Sequence, residues 1–223
     1  MAVIISKQLV VPEAPVKGTL ASDLAEGGIV LIPENGVNVE FYVAKHDYES
    51  GLNGAGRTLF VRKDCYDSRQ WSYAYQNSYS GSLIDVWLDG DYKSLLGAEV
   101  QSLLGSTKFY CAVGMRDTTI ATLSRGVFCL SATELNLSDS NSPVEGSALP
   151  ISDTLRIAYY NGSAVGQWTR SSRPSSTAYA YGVWADGTLF GDGVADSYYS
   201  RPAFTLPSNA LFDPDTGEFL GVA

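Results

Sequence analysis

The chain has 223 residues, of which 45% are hydrophobic and 17% are charged, and this balance is typical of a globular protein rather than a disordered one. Its 15 basic and 24 acidic residues give a net charge of −9. Such an acidic chain repels phosphate backbones and anionic lipid, so we expect neither nucleic acid as a partner nor insertion into a membrane.

The first 18 residues are rich in aliphatic side chains but are interrupted by Pro12 and Pro15. Prolines at this spacing exclude a helix and disfavour a central strand. Two structures fit the segment equally well: an extended arm that lies on a neighbouring subunit or partner, or an edge strand of the same domain. We predict an attachment arm over 1–18 and one α+β domain over 19–223. The segment lacks the pattern of a secretory leader, so we expect the chain to fold in a cytoplasm.

Short strands dominate the predicted elements from residue 19 onward. Strands over 28–32 and 37–44 flank an Asn35-Gly36 pair, which strongly predicts a hairpin, and a third strand covers 58–62. The glycine-rich loop between the second and third strands lacks the lysine of a phosphate-binding loop.

The middle of the chain predicts short helices between buried segments. Ser80 or Ser82 caps a helix that reaches Leu88, and Asp91 caps a second helix that ends near Gly105. Three further predictions follow in chain order: strand-like segments over 109–113 and 126–130, a capping box formed by Ser131 and Glu134, and a helix over 151–160.

The last third of the chain predicts antiparallel strands again. Alternating residues over 179–184 and the return at 189–190 flank Asp186-Gly187, which indicates a hairpin. A strand over 201–206 and a closing hairpin over 212–219 complete the pattern. The predicted fold class is therefore α+β, with mostly antiparallel short strands and a few short helices.

Catalytic and metal-binding patterns are weak, and we expect no enzyme and no cofactor. The single histidine, His46, reads as a solvated surface residue, and three dispersed cysteines read as buried apolar side chains rather than zinc ligands. Calcium stays open, because two sets of acids have suitable oxygens, although turn formation explains both sets as well. These sets are Asp213, Asp215 and Glu218, and Asp186, Asp192 and Asp196.

Aromatic residues among Ser, Gly, Asn and Ala are the most informative feature. Tyrosine in such surroundings is typical of recognition loops, because its ring gives a large contact area at a low entropic cost. Within a module over about 162–206 we predict six ligand-binding residues: Tyr179, Tyr181, Trp184, Phe190, Tyr198 and Tyr199. Three more tyrosines, Tyr73, Tyr75 and Tyr79, share the same composition upstream.

An ordered series of motifs over about residues 25–208 resembles an uncharacterised domain family, a domain of unknown function found in gut Firmicutes and their prophages. The motifs are Arg62-Lys63-Asp64, Trp71, Asn77-Ser78-Tyr79, Ser82, Trp87-Leu88-Asp89-Gly90, 130–135, 156–162, Trp168-Thr169-Arg170-Ser171, Asp186-Gly187 and Arg201-Pro202-Ala203-Phe204. Members of that family usually read Trp-Trp-Leu-Arg-Ser-Pro where this chain has residues 167–172, a modest departure.

The closing motifs also resemble the C-type-lectin-like fold, whose last strands carry a variable, ligand-facing surface. The resemblance implies that Arg170 and Arg201 are structural and that residues 172–200 face the ligand. It makes Trp168 and Phe204 part of the same structural frame. The enzymatic branch of that fold depends on a cysteine pair that the three cysteines here do not match, so its activity is not implied.

These resemblances predict a phage or prophage virion protein, made in the bacterial host cytoplasm, that recognises a host cell-surface glycan or protein. We expect a homo-oligomer that contacts other virion proteins through its amino-terminal arm. The alternative is a structural virion protein, a capsid decoration or tail component, whose aromatic surface packs on neighbouring subunits. A hydrolase would need two acids facing each other across a cleft, and the sequence places no such pair. The composition of residues 172–200 also suggests a hypervariable segment.

Overall fold

The computed structural model describes residues 17–223, so the predicted arm over 1–18 lies almost entirely outside the described residues. The described chain forms short strands and a few short helices. The strands are β1 (Thr19–Leu20), β2 (Ile29–Glu34), β3 (Val37–Lys45), β4 (Arg57–Arg62), β5 (Ser68–Gln70), β6 (Thr107–Gly114), β7 (Asp117–Arg125), β8 (Val127–Phe128), β9 (Ala158–Tyr160), β10 (Ser163–Val165), β11 (Gln167–Ser172), β12 (Tyr179–Val183), β13 (Leu189–Gly193), β14 (Ser197–Tyr199), β15 (Ala203–Pro207), β16 (Ala210–Phe212) and β17 (Phe219–Val222). The α-helices are α1 (Ser50–Asn53), α2 (Leu83–Trp87), α3 (Ala98–Leu103) and α4 (Ser152–Arg156), with a π-helical turn at Leu88–Tyr92 and 3-10 turns at Ala21–Asp23 and Lys93–Leu95.

Two five-stranded sheets organise these elements. The first has the strand order β2-β3-β4-β15-β8 and is antiparallel throughout. The second has the order β13-β12-β11-β14-β5 and is antiparallel except for the pairing of β11 with β14. The predicted mixture of mostly antiparallel short strands and a few short helices is confirmed. No helix in residues 17–223 has the length and apolar character needed to span a membrane.

Turn chemistry explains the hairpins that the sequence predicts. Asn35 and Gly36 have φ values of 52° and 79°, as a two-residue turn between β2 and β3 requires. Asp186-Gly187 similarly lies between β12 and β13, which pair over their whole length. Ser82 caps α2 by accepting a hydrogen bond from the Asp85 N–H at 3.2 Å.

The prediction of a continuous helix from Asp91 to Gly105 is wrong, because tertiary contacts interrupt the helix. The chain leaves the helical conformation at Leu96, and Gly97 donates a backbone hydrogen bond to the Pro33 carbonyl at 2.8 Å. A Cβ on Gly97 would lie 2.9 Å from Cβ of Pro33, so the glycine permits this close approach. Helix α3 then begins at Ala98.

Two further differences concern strands. Strand β7 has no predicted counterpart, because it is largely exposed on both faces and its turn uses Met115 and Arg116 at φ 56° and 70° instead of asparagine or glycine. The predicted helix over 151–160 is shorter than expected and is followed by β9, which pairs with β10. Residues 172–200 are also more regular than a loop, since they contain β12, β13 and β14.

A buried ion pair lies between the sheets and the connecting loops. Arg170 of β11 and Glu134 are fully buried, and the guanidinium Nη1 lies 2.6 Å from the carboxylate. Arg170 also donates to the carbonyls of Tyr110 and Cys129, both at 3.0 Å. Glu134 accepts a hydrogen bond from the Tyr48 hydroxyl at 2.5 Å.

The predicted capping box is present and supports this ion pair. The Ser131 N–H donates to Glu134 Oε2 at 2.8 Å, and the Glu134 N–H donates to the Ser131 hydroxyl at 3.1 Å. Burial alone would lower the pKa of Arg170, but the Glu134 carboxylate raises it well above its ordinary value. The guanidinium therefore stays charged in the core.

Replacement of Arg170 by methionine is expected to lower the free energy of unfolding by about 3–5 kcal/mol, because it leaves the Glu134 carboxylate buried without its partner. Urea denaturation followed by tryptophan fluorescence measures the change. Arg116→Met, at an exposed turn residue, is the control and should change stability by less than about 0.5 kcal/mol. Equal stability of the two variants would show that the ion pair does not hold the fold.

Candidate binding surface

The six predicted ligand-binding residues do not all reach the surface. Tyr179 and Trp184 are each 42% exposed, whereas Tyr181 and Phe190 are 1% and 7% exposed. Tyr198 and Tyr199 lie between these extremes, and the Tyr199 ring packs on Tyr160 with ring centroids 4.7 Å apart. Tyr181 and Phe190 therefore offer little contact area to a ligand, although the Tyr181 hydroxyl donates to Asp139 at 2.8 Å.

The four residues assigned to the frame, Trp168, Arg170, Arg201 and Phe204, are all buried. Arg201 donates hydrogen bonds to the carbonyls of Arg62, Lys63 and Leu155 at 2.8, 2.6 and 2.7 Å. Trp168 donates from its indole N–H to the carbonyl of Arg69 at 3.1 Å, which fixes β11 against β5 across β14.

A cluster of four aromatic rings lies on the second sheet. Phe190 contacts Trp184 and Tyr198 with centroid distances of 4.2 and 4.6 Å, and Trp168 contacts Tyr198 at 4.9 Å. Phe190 sits directly on the backbone of β12, because a Cβ on Gly182 would lie 2.2 Å from its ring. The buried rings thus hold Trp184 and Tyr198 at the rim of the cluster.

A carboxylate fixes the rim. The Tyr198 hydroxyl donates to Asp192 Oδ2 at 2.6 Å, and the Gly193 N–H donates to Asp192 Oδ1 at 2.8 Å. Desolvation and the adjacent Asp192 carboxylate raise the pKa of Tyr198 to about 12. The phenol is therefore a neutral hydrogen-bonding group at physiological pH.

Asp192 also lines a surface depression of about 300 Å³, which we call the first pocket. Its walls include the exposed rings of Tyr75 and Tyr179, and Asp196 adds a second carboxylate. Tyr75 has φ 62°, an uncommon left-handed conformation for an aromatic residue. The sequence pattern identifies Asp192 and Asp196 only as candidate calcium ligands. For Tyr75, the small polar residues around it are the one sequence signal that indicates an exposed ring.

Asn77 fixes the backbone behind this pocket. Its buried side-chain amide lies 3.0, 3.0 and 2.8 Å from the carbonyls of Arg173, Ser176 and Tyr179. Its carbonyl accepts the Met115 N–H at 2.7 Å. The segment that carries Tyr75 and the loop that leads into β12 are therefore held by one residue.

A second pocket of about 500 Å³ is lined by Tyr73, two residues before Tyr75 of the first pocket. Tyr73 and Val86 are its exposed apolar walls, and Asp91 adds a carboxylate. Arg69 lies 3.2 Å from the Trp87 ring centroid and is paired with Asp67 at 2.5 Å. We define the candidate surface as these two pockets together with Trp184 and Tyr198.

The remaining candidates for chemistry have structural partners. His46 is half-buried rather than solvated, with its ring nitrogens 3.2 Å from Thr58 Oγ1 and 2.9 Å from the Leu24 carbonyl. Cys65, Cys111 and Cys129 are buried and free, as predicted, and burial raises the pKa of each thiol to about 12.

The acids named as candidate calcium ligands include two that accept hydrogen bonds within their own turns. Asp213 accepts two backbone N–H groups of its own turn, and Asp186 accepts from both the N–H and the hydroxyl of Thr188. Within residues 17–223, no group of three or more His, Cys, Asp or Glu side chains is placed to hold a metal ion.

Comparison with known proteins places these elements in a family. A family model described as Domain of unknown function (DUF6273) matches residues 55–208, which is 154 of the 223 residues. The chain belongs to this family. The resemblance to an uncharacterised domain family is thereby confirmed, and the DUF6273 span contains the buried ion pair and the whole candidate surface. No curated protein and no solved structure matches the chain.

Replacement of Gly182 by alanine is expected to lower the free energy of unfolding by about 1–3 kcal/mol, because the new methyl group would force the Phe190 ring off β12. Chemical denaturation and near-ultraviolet circular dichroism of the aromatic cluster measure the two effects. The control is Gly51→Ala, where the added Cβ meets no atom within 4 Å. An unchanged aromatic spectrum in Gly182→Ala would contradict this packing.

Replacement of Asp192 by asparagine is expected to lower the pKa of Tyr198 below its value of about 12, because the neutral amide no longer opposes the phenolate. Phenolate absorbance followed during an alkaline titration measures the shift, with Tyr198→Phe used to assign the signal. A raised phenol pKa in the folded state also implies stability that is present below pH 10 and is lost as the pH rises toward 12. An identical titration curve for Asp192→Asn would mean that the carboxylate has no influence on Tyr198.

Proposed function

We propose that this protein is a non-enzymatic recognition module that binds a glycan on the candidate surface. The observation that carries the proposal is the combination of exposed rings with a fixed acceptor. Tyr179 lines the same pocket as the Asp192 carboxylate, which accepts a hydrogen bond from the Tyr198 hydroxyl. Trp184 packs on the ring of the same Tyr198, with ring centroids 5.6 Å apart. Aromatic rings bury the C–H faces of a sugar, and rigid carboxylates accept its hydroxyl groups.

The arrangement of the acceptor favours binding over catalysis. Each oxygen of Asp192 already accepts one hydrogen bond, from Tyr198 or from Gly193. A carboxylate whose two oxygens are held in this way is a positioned hydrogen-bond acceptor. The buried rings beneath the rim keep the surface rigid, which reduces the entropic cost of binding.

We further propose that the fold is C-type-lectin-like and that the module belongs to a virion of a phage or prophage. Support for the fold comes from the antiparallel sheets and from the buried frame residues that flank β12, β13 and β14. Support for the location comes from the resemblance of the motifs to a family found in prophages. The predicted arm over 1–18 would attach the module to other virion proteins, and the ligand would be a host cell-surface glycan.

A glycan array followed by titration calorimetry tests the binding site. Trp184→Ala and Tyr179→Ala should each weaken binding by about tenfold or more, because loss of a stacked ring removes at least about 1.4 kcal/mol. Tyr159→Ala is the matched control, since Tyr159 is 45% exposed but lines neither pocket. Its affinity should equal that of the wild type.

Two results would overturn the proposal. Failure of the wild-type protein to retain any glycan removes the function, and an equal loss of affinity in Tyr159→Ala removes the site. If Trp184→Ala instead abolishes self-association measured by analytical ultracentrifugation, the surface packs on neighbouring subunits and the structural virion protein is the correct alternative.

A further inference from the structure

We infer that the two pockets bordered by residues 73–75 form one cleft, which binds a linear oligosaccharide of N-acetylated hexosamine units. This inference rests on the proposed function and adds the length and the chemistry of the ligand. It also assigns a binding role to Tyr73 and to the pocket beside α2.

The two pockets are adjacent, because Gln70, which lines the second, contacts Ala195, which lines the first. Tyr73 lines the second pocket and Tyr75 lines the first, and their Cα atoms can be separated by at most about 7 Å. The Ser72 N–H donates to the Val194 carbonyl at 2.9 Å, and Gln70 Nε2 donates to the Ala195 carbonyl at 2.8 Å. These bonds tie the chain just before Tyr73 to the turn that carries the acids of the first pocket, so the two pockets keep a fixed spacing.

The polar groups of the cleft select a ligand that brings donors. Asp91, in the second pocket, and Asp192 and Asp196, in the first, supply carboxylate acceptors. Such a lining repels the carboxylates of acidic sugars and accepts hydroxyl and acetamido N–H groups.

Arg69, the one arginine among the described residues that line the cleft, does not make the cleft favourable for acidic sugars. Both Nε and Nη2 of Arg69 donate to the Asp67 carboxylate, and the guanidinium plane covers Trp87. Its charge is therefore balanced inside the wall of the pocket. An anionic ligand would have to compete with Asp67 for the same donors.

The apolar groups of the cleft favour a ligand that carries N-acetyl substituents. Tyr73, Tyr75 and Val86 are among the most exposed large apolar residues of the described chain. Exposed apolar groups that border a polar pocket indicate contact with a ligand. The methyl group of an N-acetyl substituent and the C–H face of a pyranose ring both match such walls.

Titration calorimetry with chitobiose and chitohexaose tests the inference. The wild-type protein should bind the hexamer at least about tenfold more tightly than the dimer, because only the longer chain reaches both pockets. Tyr73→Ala should remove this gain and leave dimer affinity unchanged, whereas Tyr179→Ala should weaken both ligands. Tyr159→Ala should alter neither, and hexagalacturonate, an acidic hexamer, should not bind.

Each contrary result has a distinct meaning. Equal affinities for dimer and hexamer overturn the joined cleft and leave the proposed function standing. Binding of hexagalacturonate in preference to chitohexaose, or of another array glycan with no response to chitohexaose, overturns the chemical assignment alone. Binding of a lysine-rich peptide that is lost in Tyr73→Ala and Tyr179→Ala shows that the occupant is a basic peptide, and the absence of any glycan binding removes both proposals.

Discussion

The charge of Arg170 lies in the interior of the molecule, where the Glu134 carboxylate beside it is its ion-pair partner. The guanidinium bonds to β6 and to the segment after β8 that contains Cys129 and Glu134, so one side chain connects two separate parts of the chain to β11. A buried pair of this kind adds little stability over an apolar core, but separation of its partners is costly. It therefore selects one arrangement of the loops around β11, and the candidate surface depends on that arrangement.

The aromatic cluster connects the buried core to the exposed surface through ring contacts. Trp168 belongs to the same strand as Arg170 and contacts Phe190 and Tyr198, which in turn contact the exposed Trp184. Each step is a ring packed on a ring or on the bare backbone of Gly182. The exposed groups of this part of the surface are thus the outer layer of a continuous packed column rather than side chains on a free loop.

Sequence patterns predict the local features of this fold better than its tertiary ones. Asn35-Gly36 and Asp186-Gly187 identify their hairpins because the backbone of a tight turn requires those residues, whereas the turn at Met115 carries no such signal. Alternation along β12 separates two faces but does not say which face meets the interior, so Tyr181 is buried where exposure was expected. Asp192 was visible only as an acid, because its role depends on Tyr198 reaching it across a turn.

The clamp at Asn77 has a consequence for how this surface can diversify. Its amide carries two hydrogens and faces three carbonyls, all of which are main-chain atoms of residues 173, 176 and 179. Main-chain acceptors are present whatever side chains the loop carries, so substitutions at Ser175 or Thr177 leave the clamp intact. An insertion or a deletion in the same stretch shifts the carbonyls and breaks it. The loop is therefore constrained in length and free in sequence, which is the condition under which its side chains can change while the fold stays the same.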